Sequence, residues 1–334
     1  MAAAPLASAA VSPAPGETPV LTVTTVTTAV FTHPDCLLHR MEPGHYESPQ
    51  RLEAVLAALR TPAFASLAWR EAPEASREAL GRVHDPRYVD AVLAAVPAEG
   101  TVRIDPDTAM NAGTGVAMLR AAGAGTAAVD AVMAGEVRNA FCAVRPPGHH
   151  AERARAMGFC FFNNIAVAAL HARTHGLRRI AVIDFDVHHG NGTQHSFEPD
   201  RELFYASTHQ DPFYPGTGHA DEQGVAGNIV NVPVRGGSDG TVVRRAYADL
   251  ILPKLNAFAP EFVLISAGFD AHYADPLGGL GLTEDDYAWI TRELCAVATR
   301  HAGSRVVSAL EGGYDLDALG ASAAAHVAAL MSSA

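Results

Sequence analysis

The stretch Ile180-Ala-Val-Ile-Asp-Phe-Asp-Val-His-His-Gly-Asn-Gly-Thr193 reads as a short apolar strand running directly into two carboxylates and two imidazoles. In an extended chain alternate side chains share a face, so Asp184, Asp186 and His188 project together. Oxygen and nitrogen donors meeting at a strand end suit zinc or another divalent first-row metal. The alternative is a strand end whose carboxylates only cap backbone N–H groups. The strand is apolar on successive residues rather than alternate ones, the pattern of a parallel sheet covered on both faces.

Working outward, similar runs rich in Val, Ile and Phe, each closed by Gly, Pro or Asp, recur at 140–144, 203–207, 228–232, 262–266 and 305–310. Alanine-rich helical stretches lie between them, including 48–59, 113–134, 163–175, 241–258 and 283–302. Strand alternating with helix implies an α/β fold with one mostly parallel sheet, in which reactive residues collect at the carboxyl ends of the strands. Residues 1–24, rich in Ala, Pro and Ser, read as a flexible tail, and residues 25–334 as one catalytic domain. The segment 51–120 carries few strand signals and is where a second lobe would lie.

Composition narrows the function. The 334 residues are 49% hydrophobic and 18% charged, far from the composition of a disordered chain. The net charge of −12 argues against a nucleic-acid partner, which needs clustered Lys and Arg. The unbroken apolar runs are too short to span a bilayer, so no membrane partner is expected. With no basic, apolar leader at the start, the expected location is cytoplasmic. Cys36, Cys142, Cys160 and Cys295 form no C-x-x-C pair and read as buried thiols. Nine of the 16 histidines fall between His149 and His219, so the chemistry is expected there.

Three further motifs follow apolar runs. Phe262-Val-Leu-Ile-Ser-Ala-Gly-Phe-Asp-Ala-His delivers Asp270, the natural third ligand beside Asp186 and His188. Three protein ligands leave a position open, the mark of a catalytic metal site; by itself Asp270 reads equally as a helix N-cap. Arg145-Pro-Pro-Gly-His-His presents His149 and His150 on a rigid turn, suited to a general base and its electrostatic partner. Glu311-Gly-Gly-Tyr places Tyr314 where its hydroxyl can donate to an oxyanion, although an isolated loop tyrosine is usually packing.

Taken together, Arg145-Pro-Pro-Gly-His-His-Ala, Met157-Gly-Phe-Cys-Phe-Phe-Asn-Asn, Asp184-Phe-Asp-Val-His-His-Gly-Asn-Gly-Thr-Gln, Ser266-Ala-Gly-Phe-Asp-Ala-His and Glu311-Gly-Gly-Tyr resemble the histone deacetylase superfamily, in its class II-like bacterial branch. The resemblance runs from Phe31 to Tyr314. It implies a three-layer arginase/deacetylase fold with about eight strands, and zinc-dependent hydrolysis of amides. It further implies Asp186, His188 and Asp270 as zinc ligands, and His150 as general base, paired with Asn191. His149 would be its partner imidazole, oriented by Asp184, and Tyr314 the oxyanion donor. Phe159 and Tyr214 match the aromatic walls of an acyl-lysine tunnel, and the Gly158 carbonyl its contact to the substrate N–H. Potassium would bind near Asp184, Asp186, His188, Ser207 and Thr208, with Phe197 near a second cation, and Arg51 would line an acetate exit.

The implied substrate is an acyl-lysine peptide or protein, or a small acylated amine; the resemblance leaves a homo-oligomer open. The sequence departs from the family pattern at Asn191, an aspartate in class I relatives, at Tyr214, often Phe, and at Tyr46, usually Pro. The nearest alternative is acetylpolyamine hydrolysis, whose specialists resembling the class IIb branch carry a glutamate where this chain has Leu277 in Asp275-Pro-Leu-Gly-Gly. A non-enzymatic relative would have lost a ligand or the tyrosine. An arginase-like dimetal site calls for D-x-H-x-D, whereas the order here is D-x-D-x-H.

Overall fold

Residues 180–184 form strand β6, every side chain of which is buried, and the same holds for the runs at 262–267 and 306–310. The computed structural model describes residues 27–333; the tail expected over 1–24 lies outside them. In chain order the elements are β1 (Thr28–Thr32), α1 (Pro49–Leu59), β2 (Ala68–Glu71), α2 (Arg77–Gly81), α3 (Pro86–Ala94), the hairpin β3 (Thr101–Arg103) and β4 (Ala109–Asn111), α4 (Thr114–Met133), β5 (Asn139–Cys142), α5 (Asn164–Thr174) and β6 (Ile180–Asp184). There follow α6 (Asn191–Phe197), β7 (Leu203–Gln210), β8 (Ile229–Val234), α7 (Gly240–Ala246), α8 (Leu252–Phe258), β9 (Phe262–Ala267), α9 (Glu284–His301), β10 (Val306–Leu310) and α10 (Leu316–Ser332).

Eight strands form one sheet in the order β2-β1-β5-β10-β9-β6-β7-β8. All seven pairings are parallel, with Asp184 in register between Ser207 and Ser266. Helices α4 and α5 pack on each other and on the central strands, while α1, α10 and α9 form a second packed row over the same strands. Among the described residues the main packing runs within each row and from each row to the strands, as for two rows that cover opposite faces. This is the three-layer α/β arrangement that apolar strands require.

Local signals set the helix ends. Thr283 and Asp286 form a capping box at the start of α9, and Asp315 accepts the Ala318 N–H at the start of α10. The helix read from sequence over 241–258 is interrupted: one π turn, Tyr247–Ile251, joins α7 to α8 just before Pro253, which lacks the N–H a regular helix needs. The segment 51–120 does not form a second lobe. It adds β2 to the sheet edge, lays α1 on one face, and contributes Leu52, Val89 and Met118 to the one connected core.

Helix α4 is long and apolar enough to cross a membrane, but 67% of its apolar window is buried inside the fold. All four cysteines are free and buried, and burial raises the thiol pKa of each. These thiols are packing groups.

Candidate active site

Strand β6 ends at Asp184, and the chain then bends while keeping its carboxylates together. The Asp184 Oδ1 accepts the Asp186 N–H at 3.1 Å, and the Asp186 Oδ1 accepts the His188 N–H at 2.9 Å. These successive carboxylate turns hold the bend. Capping does not exclude the metal-ligand reading of this segment: the caps hold the carboxylates on the side of the bend where His188 lies.

Asp186, His188 and Asp270 each place one donor atom within 4.8 Å of the other two. The His188 Nδ1 lies 3.0 Å from Asp186 Oδ1 and 3.2 Å from Asp270 Oδ2. The remaining carboxylate oxygens accept backbone N–H groups, Asp186 from Gly312 and Asp270 from Val187, each at 2.8 Å. Burial and the adjacent Asp186 charge push Asp270 up to about 7. Two fully buried carboxylates and an imidazole around one point ask for a cation. Glycine is required beside them, because a Cβ on Gly312 would stand 2.0 Å from Asp270 Oδ2, and one on Gly268 would stand 2.0 Å from Asp186 Oδ2. The residues fit a divalent metal with mixed oxygen and nitrogen donors.

The loop after β5 brings the two imidazoles alongside. His149 Nδ1–H donates to Asp184 Oδ2 at 3.0 Å, and His150 Nδ1–H donates to Asn191 Oδ1 at 2.8 Å. The two rings lie 4.0 Å apart. Burial would lower the His149 pKa, but the charges of Asp186 and Asp184 outweigh it and raise it to about 10. Burial, then the neighbouring His149 and His188, hold His150 well below the usual imidazole range. The two adjacent imidazoles are thus pushed in opposite directions. His189, by contrast, is a satisfied core histidine between Thr217 and Gln194.

A cavity of about 370 Å³ reaches this cluster and is lined by both imidazoles, His188, Gly158, Phe159, Tyr214, Leu277 and Tyr314. The Met157–Cys160 turn has positive φ at both central residues, Gly158 (58°) and Phe159 (67°), and mutual backbone bonds at 3.0 and 3.1 Å. A Cβ on Gly158 would collide with the His150 ring at 2.4 Å. The left-handed conformation of Phe159 is strained for a non-glycine residue, and its N–H is held by Thr108 Oγ1 at 3.0 Å. Tyr214 meets His150 edge-on at 5.1 Å.

Of the expected cation-site residues, Ser207 pairs in register with Asp184, and Thr208 follows it on β7. Phe197 is buried at the end of α6, and its carbonyl accepts Asn228 Nδ2 at 3.0 Å. Tyr46 is exposed and lines a neighbouring groove rather than this cavity. Arg51 is fully buried and donates to the carbonyls of Gly313 and Glu311.

Several residues given no role from sequence belong to this region. Phe213 stacks on His188 at 5.3 Å, and Asp107 lines the cavity. The Glu311 carboxylate accepts the N–H groups of Gly148 (2.6 Å) and His149 (3.1 Å), and burial raises it to about 7. Glu47 receives both arms of Arg145 at 2.6 Å beneath the histidine loop. Long-range pairs of this kind leave no spacing signal, though Glu311 within Glu-Gly-Gly-Tyr and Phe213 beside Tyr214 sit in motifs already singled out.

A sequence profile described as "Histone deacetylase domain" matches residues 45–330. The chain belongs to the histone deacetylase family. It is 40% identical to histone deacetylase 14, chloroplastic, of Arabidopsis thaliana over 86% of this chain and 73% of that protein. It is also 40% identical to the histone deacetylase-like amidohydrolase of Pseudomonas aeruginosa, over 81% and 73%. The polyamine deacetylase HDAC10 of Homo sapiens is 39% identical over 92% of this chain and 46% of its own length. The crystal structure of the HDA15 HD domain superposes with a TM-score of 0.86 at 38% identity, covering 92% of this chain and 88% of that one.

One other histidine–carboxylate cluster among the described residues joins α4 to the end of α5 in this deacetylase fold. His171 and His175 each place Nε2 within 2.8 Å of Asp130 Oδ1. Arg82 donates to His171 Nδ1 at 3.0 Å, so the proton of that ring is on Nε2 and is given to Asp130. The cluster is a hydrogen-bonded clamp.

Proposed function

We propose that this chain is a zinc-dependent amidohydrolase that removes acetyl or short acyl groups from the lysine side chains of proteins or from related amides. The observation that carries it is the meeting, on one 370 Å³ cavity, of the His149–His150 pair, Tyr314 and His188, which groups with the buried Asp186 and Asp270 as a donor set. Family membership supports the hydrolase class.

Asp186, His188 and Asp270 would hold the ion, which when bound supplies Lewis-acid polarisation of an acyl carbonyl and activation of a water. The remaining work belongs to the chain. His150, neutral and with its Nδ1 proton committed to Asn191, takes a proton at Nε2 and later gives it to the leaving amine. His149, cationic through Asp184, stabilises the negative charge that develops beside it. The Tyr314 hydroxyl donates to the oxyanion; burial keeps its pKa well above the ordinary phenol value, so it remains a donor. Phe159 and Tyr214 grip an apolar stem, and the Gly158 carbonyl accepts the substrate N–H. Asp184, Asp186, His188, Ser207 and Thr208 would hold a potassium ion, which when bound would serve as a structural cofactor.

Leu277 at the cavity offers apolar contact only, which favours a lysine stem over a polyamine with a distal ammonium. The test is metal analysis of purified protein together with turnover of an acetyl-lysine peptide and N-acetylputrescine side by side. One zinc per chain and faster peptide turnover are expected; hydrolysis of neither amide overturns the reading.

A further inference from the structure

The Asn191 side chain is caught between His150 and a carboxylate that lies outside the cavity lining. Its Oδ1 accepts from His150 Nδ1 at 2.8 Å, and its Nδ2 donates to Glu152 Oε1 at 2.6 Å. The same Nδ2 also donates, over longer distances, to the His150 carbonyl at 3.3 Å and to the Met157 sulfur at 3.5 Å. The other Glu152 oxygen meets His195 Nδ1 at 2.6 Å, one helical turn beyond Asn191 on α6, so Glu152 bridges two residues of one helix face.

A carboxylate accepts hydrogen bonds and cannot donate them. Flipping the Asn191 amide would set its oxygen against Glu152 and its NH₂ against His150. His150 would then have to carry its proton on the cavity-facing nitrogen, where a base needs a lone pair. We infer that Glu152 is a positioning residue: by holding the Asn191 amide in one orientation, it fixes His150 as the tautomer with a protonated Nδ1 and a bare Nε2. Asparagine next to a base histidine is ambiguous in a way that aspartate is not, because its two ends differ only in which is donor. Glu152, at 2.6 Å the nearest acceptor on Nδ2, with the His150 carbonyl at 3.3 Å beside it, removes the ambiguity from one residue further out. The inference rests on the proposed role of His150 as base.

The experiment is run on the zinc-loaded protein with Glu152→Ala, Glu152→Gln, Asn191→Ala and the Glu152→Ala/Asn191→Ala double variant. The hydrogen-bonded Nδ1–H resonance of His150, assigned by its absence in His150→Ala, is read without substrate. It should be sharp in the native chain and in Glu152→Gln, whose amide oxygen still accepts from Asn191, and broadened or lost in Glu152→Ala. Turnover of the acetyl-lysine peptide should show kcat reduced roughly 5- to 20-fold in Glu152→Ala with KM within about twofold, part of the 10²–10⁴ that a positioned base supplies. Glu152→Gln should recover most of it. Adding Glu152→Ala to Asn191→Ala should change kcat by less than about twofold, since the route runs through the amide.

An unaltered resonance in Glu152→Ala, or a full additional loss in the double variant, overturns the inference. If Glu152→Ala does not fold, Glu152→Gln decides: a kcat as low as that of Asn191→Ala means that charge, not orientation, is what Glu152 supplies. Because the resonance needs no substrate, a chain that hydrolyses no acyl amide would sink the proposed function and still report the tautomer.

Discussion

The Arg51 guanidinium lies 4.7 Å from the centroid of the Tyr314 ring while donating to the carbonyls of Glu311 and Gly313, just before that tyrosine. Both side chains are buried. A cation on the ring face contributes about 0.5–2 kcal/mol, and the two carbonyl bonds fix the loop that carries the ring. The hydroxyl is therefore presented by a rigid support, as a donor to a developing charge must be. Tyr314→Phe should leave the fold intact and cut kcat by roughly 10²–10³. Steady-state kinetics on an acetyl-lysine peptide checks this, and an unchanged kcat removes Tyr314 from the mechanism.

Chelation should abolish activity and zinc should restore it. Gly312→Ala should lower metal content as much as Asp270→Ala does, because the new Cβ would stand 2.0 Å from Asp270 Oδ2 and 2.6 Å from Asp186 Oδ2. Metal analysis of both variants is the measurement; full occupancy in Gly312→Ala would contradict the packing argument.

Leu277 tests substrate class. A rim charge pair contributes about 0.2–1 kcal/mol, more when desolvated, so Leu277→Glu should shift the ratio of kcat/KM toward acetylpolyamines by severalfold. A native chain that already prefers N-acetylputrescine, or a ratio that does not move, would place the selectivity elsewhere in the cavity wall.

Glu47 governs acid stability. Burial would raise its pKa, but the Arg145, His39 and Arg51 contacts outweigh this and hold it well below the usual glutamate range. A depressed folded value means that this stabilisation is complete above the ordinary glutamate pKa near 4.5 and is lost as pH falls through the lower folded value. Glu47→Gln leaves the buried Arg145 and Arg51 without their carboxylate and should cost about 3–5 kcal/mol at neutral pH. The gap from the native chain should narrow below pH 4.5, and denaturant melts at a series of pH values would show a constant gap if Glu47 were not ionised.

The strand ends were legible because an apolar run closed by Asp or Gly is a local signal. Residues 180–184 and their partners around 262–266 emerged with boundaries within a residue or so. Strands β1 and β2 lacked that signal: β2 is a mostly exposed edge, Ala-Trp-Arg-Glu, whose pairing is decided by its neighbour. Within the site, the donor set and the imidazoles could be read from spacing, since each follows its strand directly. The supports could not. Glu47 meets Arg145 across 98 positions, and Glu152 meets Asn191 across 39, so nothing in the local pattern announces either.

Strand β10 sits between β5 and β9 although it follows both in sequence. In the finished sheet no other strand joins β2-β1-β5 to β9-β6-β7-β8, so the facing edges of the two sets have no partner until residues 306–310 are in place. The histidine loop belongs to the first set and the donor residues to the second. Strand β10 is thus the keystone that joins the set carrying the histidine loop to the set carrying the donor residues, and without it each set would present an open edge of the kind that invites aggregation.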